Sequence, residues 1–228
     1  DDACVLKRCV DNPGAYADEI VAAPGDTGEG FGDARNAVNG VRGCGGGCGS
    51  FDVFSLGYEP GVDNELILRW SGRAVVDGPG TDFVVFENGF DRGDGDRFMD
   101  PLVVSVSRDG VHWVDFRHDY RAADETVYET DPALWEGFAG VTPVRLHEED
   151  NPVDPFNPAA AGGDAFDLAD LPDDGGEGSA IRAEGFVYLR LVTAPSLENP
   201  DTGAPYVREG ISNGADVDGV YARYFETR

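Results

Sequence analysis

An all-β sandwich with long decorated loops is the fold class this sequence predicts, and three observations carry the prediction. Glycine is abundant, at 32 of 228 residues, and 14 prolines punctuate the chain. The apolar runs are short, and each is bounded by turn residues. No amphipathic stretch extends beyond about two helical turns.

Taken in order, the candidate strands are residues 65–70, 73–76, 83–87, 102–107, 111–116, 185–192 and 217–225. In 102–107 the period-two face is Leu102, Val104 and Val106, with Val103, Ser105 and Ser107 opposite. Arg108-Asp109-Gly110 predicts a tight reversal into 111–116, because Asp-Gly between two alternating runs accepts positive φ at low cost. Three connections, 88–101, 117–164 and 194–214, are long enough to be functional loops or ordered excursions. Within the second, Asp131 followed by Pro132 is a helix-start signal. No repeat or linker divides the chain. We therefore expect a single β-sandwich domain over 1–228, with 1–50 as a disulfide-tethered N-terminal extension.

Charge narrows the function classes. Seventeen basic against 44 acidic residues gives a net charge of −27. Phosphate neutralisation needs a basic face, so nucleic acid is excluded as a partner. Docking on anionic lipid is disfavoured for the same reason. With 41% hydrophobic and 11% aromatic residues the chain is too apolar for an acidic disordered tail. No apolar run approaches the ~20 residues needed to span a bilayer, so membrane insertion is not expected. The sequence starts at Asp1-Asp2 without methionine or signal peptide, as a mature or trimmed product does.

The four cysteines form two close couples, Cys4/Cys9 and Cys44/Cys48. An even number clustered near one end predicts two disulfides and an oxidising compartment, hence an extracellular or cell-surface protein. Local pairing and cross pairing between the couples both fit the spacing, and a four-cysteine metal site is the rival. Lys7 is the sole lysine among the basic residues. Salt adaptation, calcium-dependent export and a GC-rich genome would each produce that bias, and a solvated acidic surface is the simplest reading of the charge.

Several segments carry a family resemblance. Ser105-Val-Ser-Arg-Asp-Gly-Val-His-Trp113 resembles the Val-x-x-Ser-x-Asp-Gly-x-x-Trp segment of discoidin-like, galactose-binding-like jelly rolls, and Gly185-Phe-Val-Tyr-Leu-Arg-Leu191 is similar to a later strand of that fold. Asp77-Gly-Pro-Gly-Thr-Asp-Phe-Val-Val-Phe-Glu-Asn88 resembles a motif of uncharacterised bacterial cell-surface proteins. So do Ala161-Gly-Gly-Asp-Ala-Phe-Asp-Leu168 and Ala215-Asp-Val-Asp-Gly-Val-Tyr-Ala222. These blocks span residues 55–225. The resemblance implies an exported galactose-binding-like jelly roll and implies no particular chemistry. It does not reach the first 50 residues.

Clustered carboxylates on glycine-rich turns suit hard cations, which take six to eight oxygens from side chains and main-chain carbonyls. Three blocks offer that mixture and make Ca2+ the expected cofactor. Asp77 and Asp82 flank a Gly-Pro-Gly turn, followed by Glu87 and Asn88 at the end of a strand. Asp164 and Asp167 follow a Gly-Gly turn. Asp216 and Asp218 lie two apart, so on a regular strand they point the same way. An unpaired buried charge is strongly destabilising, and a divalent ion between two such aspartates is one remedy. The alternative is that they face solvent or pair with Arg190 or Arg223.

Other motifs carry less. Asp91-Arg-Gly-Asp-Gly-Asp96 lacks the EF-hand phasing and its final glutamate, and reads as an acidic turn. The three histidines, His112, His118 and His147, have no zinc-hydrolase spacing, and there is no Gly-x-Ser-x-Gly elbow. The expected function is thus a calcium-binding sandwich for cell-surface recognition or adhesion, without catalytic residues. A carbohydrate or surface polymer is the expected partner, met by the loop aromatics Trp135, Phe138, Tyr120 and Tyr128. A self-assembling subunit of a surface layer or filament is the first alternative. A carboxylate glycosidase or lyase is the second.

Overall fold

The computed structural model describes residues 16–25, 30–59, 64–93 and 95–228. It is an all-β sandwich. One antiparallel sheet has five strands in the order β1 (Glu19–Ala22), β3 (Glu65–Arg69), β13 (Tyr188–Thr193), β8 (Leu102–Ser107) and β9 (Trp113–Asp115). The other has four, in the order β12 (Asp164–Phe166), β5 (Phe83–Glu87), β14 (Asp216–Ala222) and β2 (Phe54–Ser55). Three short ribbons complete it: β4 (Arg73–Val75) with β15 (Phe225–Thr227), β6 (Phe90–Gly93) with β7 (Asp96–Phe98), and β10 (Asp119–Tyr120) with β11 (Trp135–Glu136).

The core forms because alternation delivers one face of each sheet to the other. Leu66 and Leu68 of β3 and Leu102, Val104 and Val106 of β8 bury together with Phe83 and Val85 of β5 and Val217 and Val220 of β14. The face expected for 102–107 is therefore the observed one. All five residues of β5 are buried. Its second face, Val84 and Phe86, is covered by Val41, Val144, Leu146 and Tyr221. A strand buried on both sides reads as a continuous apolar run rather than an alternating one.

Three expectations change. The hairpin after β8 is present, but its first cross-strand pair is Ser107 with Trp113, leaving a five-residue loop instead of a tight reversal. Asp109 organises that loop by accepting hydrogen bonds from the amides of Val111 (2.8 Å) and His112 (2.9 Å). The start signal at Asp131 produces only a 3-10 turn, Pro132–Leu134, capped by Asp131 onto the amide of Ala133. Part of the expected N-terminal extension belongs to the sandwich itself: β1 is an edge strand, and the 3-10 turn Ala34–Val38 packs on β14.

The fourth correction bears on function. Trp135 is 1% exposed, Tyr120 and Phe138 are buried, and Tyr128 packs against them. The 117–164 excursion folds back over the outward face of β8, where Val103 needs cover, and these rings supply it. Their polar ends are satisfied internally. Trp135 donates to the carbonyl of Glu129 (2.9 Å), Tyr120 to that of Val127 (2.5 Å) and Tyr128 to that of Met99 (2.5 Å). They form a satellite core and offer no stacking face to a sugar.

Candidate functional site: dispersed carboxylates and an arginine-lined cleft

The eight acid and amide residues expected to hold metal do not converge. Asp77, Asp82 and Asp167 come closest, with one oxygen from each lying within 4.8 Å of the others. The turn before β5 and the residue after β12 bring them together, because β12 pairs with β5. Asp82 is buried, yet both its oxygens already accept amides, from Gly78 (2.8 Å) and Leu168 (2.7 Å). Asp167 caps the amide of Ala169 (2.9 Å). Burial lifts the Asp82 carboxyl to about 7 against the pull of those amides, and Asp167 and Asp77 add to the lift. Asp77 is raised by desolvation first and by Asp167 next. Asp82 ties its own turn to the segment after β12 through these amides.

A second group lies at the other end of β5. Glu87 accepts the amide of Asp216 through Oε1 (2.9 Å), while its Oε2 is buried without a hydrogen-bond partner. Asp100 accepts the hydroxyl of Tyr58 through Oδ1 (3.1 Å), and its Oδ2 is likewise buried and unpartnered. Burial raises Glu87 well above the ordinary carboxylate range, and Asp100, Asp216 and Asp164 push it further. Burial also lifts Asp100 to about 7, opposed by the Ser212 and Tyr58 hydroxyls and reinforced by Asp216 and Glu209. Asp164, half-buried by area, is raised to about 6 by desolvation although its Oδ2 accepts the amides of Val141 (3.0 Å) and Thr142 (3.3 Å). Asp216 is raised by burial and held back by Ser55 and Asn88. No arginine or histidine pairs with these four acids among the described residues.

Asp218 and Asp216, two apart on β14, have different hydrogen-bond neighbours. The pairing of β14 with β5 shifts register between Val217 and Gly219, and that irregularity sends the two side chains to different neighbours. Asp218 Oδ1 accepts the amide of Arg42 (2.9 Å), and Oδ2 is buried without a partner. Arg190 and Arg223, offered as partners by the sequence, go elsewhere. Arg190 lies 3.6 Å from Asp115, and Arg223 sits over the Phe156 and Tyr224 rings.

A cleft of about 630 Å³ lies between the 43–49 loop and the 145–151 turn. Its walls are fixed. The amides of Gly43 and Gly45 donate to the carbonyls of Leu146 (2.9 Å) and Val144 (3.0 Å), and a disulfide joins Cys44 to Cys48. That bond settles the pairing of the second couple as local. Cys4 and Cys9 lie outside the described residues. Asn88, expected as a metal ligand, grips the rim of the same loop: its Oδ1 accepts the Ser50 amide and its Nδ2 donates to the Ser50 carbonyl (3.2 Å).

Chemically the cleft offers what the buried loop aromatics do not. Phe51 is 86% exposed and stacks on Phe31, with ring centroids 6.4 Å apart. Around it lie Arg42, Arg145, Asp52, His147 and Asn151. Arg42 is paired with Asp52 (2.9 Å). Arg145 has no carboxylate within 4.0 Å among the described residues and donates only to the carbonyl of Ala159 (3.3 Å).

No protein family matches the chain, and no curated protein does. Among solved structures it is similar to "SusE-like protein BT2857" at 12% identity, covering 93% of this chain and 64% of that one, with a TM-score of 0.39. The chain thus spans slightly under two thirds of that protein's length. A likeness so distant assigns neither topology nor function.

Sequence reasoning missed Phe51, Arg145 and Asp100. Nothing in spacing marks an exposed phenylalanine, since a period-two pattern treats every aromatic as core. Asp100 lies in the 88–101 connection and is buried by the satellite core, which was not foreseen.

Proposed function

We propose that this protein is an exported cell-surface module that binds a carbohydrate or surface polymer in the cleft beside Phe51. The observation that supports this reading is the exposed Phe51 ring beside a cleft lined by Arg42, Arg145, Asp52 and Asn151, in which Arg145 has no carboxylate within 4.0 Å among the described residues. An exposed ring offers its face to the apolar side of a pyranose, while arginine, carboxylate and amide groups meet the hydroxyls. In a chain of net charge −27, a cleft where Arg42 and Arg145 offset Asp52 and Asp150 repels an acidic polymer less than an unbalanced acidic face does. A rigid rim of backbone hydrogen bonds and a disulfide keeps the ordering cost of binding low.

Affinity electrophoresis through gels containing neutral and uronic-acid polysaccharides tests the reading. Retardation by at least one polymer is expected. Phe51→Ala should weaken binding roughly 30-fold, the effect of removing a central anchor worth about 2 kcal/mol. Arg145→Ala should weaken acidic polymers more than neutral ones. Retardation that Phe51→Ala leaves unchanged, or none by any polymer, counts against the cleft. Self-association on sizing columns without any polymer binding would favour the surface-layer alternative.

A further inference from the structure

We propose that Glu87 and Asp100, together with the main-chain carbonyls of Phe98, Asp100 and Gly140, form a binding site for a hard divalent cation of the Ca2+ type. The site is separate from the polymer cleft and does not depend on that reading. Two carboxylates here are almost fully removed from solvent, at 1% exposure for Glu87 and 3% for Asp100. Each keeps one oxygen with no hydrogen-bond partner among the described residues. A buried carboxylate oxygen without a donor is among the costlier arrangements in a protein interior. It persists where something other than a protein donor satisfies it.

The nearby positive groups do not fill that role. Arg92 is spent on Glu209 at 2.8 Å and Arg97 on Asp91 at 2.9 Å, while Arg208 lies over the Tyr58 ring. Asp216 and Asp164 raise the local negative charge further. Among the described residues only hydroxyls and amides reach the group, from Tyr58 and Ser212 to Asp100 and from Asp216 to Glu87.

Additional main-chain oxygens approach Glu87 because two glycines stand there. A Cβ on Gly140 would lie 2.5 Å from the Asp100 carbonyl and 3.2 Å from Glu87 Oε2. On Gly89 it would lie 3.3 Å from the Phe98 carbonyl, 3.4 Å from that of Gly140 and 3.6 Å from Glu87 Oε2. Glu87 Oε2 and three main-chain carbonyls therefore surround the two glycines, and Asp100 is the carboxylate whose charge acts most strongly on Glu87. Gly140 also has φ +81°, a conformation other residues avoid. All these donors are oxygen, and no histidine or cysteine is among them, which fits calcium chemistry and not zinc. Asn88 follows Glu87 directly and holds Ser50, so a cation here would brace the rim of the cleft through one residue.

The test uses the whole chain stripped with chelator, with Ca2+ alone as the probe. Calorimetry and thermal melting should show saturable binding and a Tm rise of about 5–10 °C at a hundredfold excess over Kd. Glu87→Gln/Asp100→Asn should abolish both, while Asp77→Asn/Asp167→Asn should retain both. Crystals of the stripped wild-type chain soaked in Tb3+ should give an anomalous peak between Glu87 and Asp100, a result that stands even if the double variant does not fold. Three outcomes would overturn the proposal: no heat and no Tm change, an anomalous peak confined to the Asp77–Asp82–Asp167 trio, or a calcium response lost only in Asp77→Asn/Asp167→Asn. Retained Ca2+ binding with failure of all polymer binding would leave this site standing and sink only the cleft.

Discussion

Asp218→Asn should make the protein more stable in alkali, and by an amount that grows with pH. Asp218 is fully buried, with one oxygen on the Arg42 amide and the other without a partner. Burial lifts its carboxyl to about 8, against the Arg42 amide and with Asp52 and Glu148 as like-charged neighbours. In the unfolded chain the same group titrates near 3.9. Below about pH 4 both states hold the proton and Asp218 adds no pH dependence. Between about pH 4 and 8 the unfolded chain releases a proton that the native state keeps, so stability falls by up to about 1.4 kcal/mol per pH unit. Above the folded value the loss is complete. From about pH 6 to pH 9 the ceiling is therefore about 3 kcal/mol, and relaxation with water entry brings the expected loss to about 1–3 kcal/mol. Asparagine keeps the acceptor for the Arg42 amide and cannot ionise, so it removes this slope. Urea unfolding in chelator at several pH values, followed by tryptophan fluorescence, measures the difference between wild type and variant at each pH. A difference that is flat with pH, or that grows toward acid, would refute the burial argument.

Other outcomes follow from the same geometry. Trp135→Ala should cost about 3–5 kcal/mol, as loss of a buried aromatic does, while leaving polymer affinity per folded molecule unchanged. Specific loss of binding in a stable Trp135→Ala protein would restore the ring as a ligand contact. Replacing Cys44 and Cys48 by serine opens a short loop with a sequence separation of 4, so thermal unfolding should show a loss of only about 2 kcal/mol. Polymer affinity should fall alongside, because the loop is one wall of the cleft. An unaltered affinity in that variant would show that the hydrogen bonds to Val144 and Leu146 hold the wall unaided.

Much of the sandwich was legible in the sequence because its strands obey local rules. Runs 83–87 and 102–107 are bounded by turn residues, and β5 and β8 start and stop there. What escaped was whatever depends on the third dimension. Trp135 and Phe138 sit in a long polar connection, which suggests exposure. They are buried because Val103, on the outer face of β8, needs cover that no sheet provides. Asp216 and Asp218 obey the period of two in sequence, but pairing with β5 breaks that period at one irregular position. The carboxylates were recognisable as candidates one block at a time. Their grouping depends on which strand ends lie side by side, and that is set by the β12–β5–β14 order.

That order also explains why so acidic a chain divides its buried carboxylates instead of pooling them. β5 lies between β12 and β14, so its two ends collect acids from opposite directions. At the Phe83 end, Asp82 meets Asp77 and Asp167, and loop amides are close enough to answer the charge. At the Glu87 end, the flanking segments bring Asp100, Asp164 and Asp216, and the amides there leave two buried oxygens over. Hydrogen bonds answer a lone carboxylate well, but several like charges in one apolar place need opposite charge or protons. In chelator only protons can answer the Glu87 end, so calcium is the condition that separates protons from cations. Neutralising Glu87 in chelator should raise Tm if a proton satisfies the pair, because the variant carries that neutrality at every pH. If a cation is what the pair is built for, the same change should leave the calcium-loaded protein less stable than wild type.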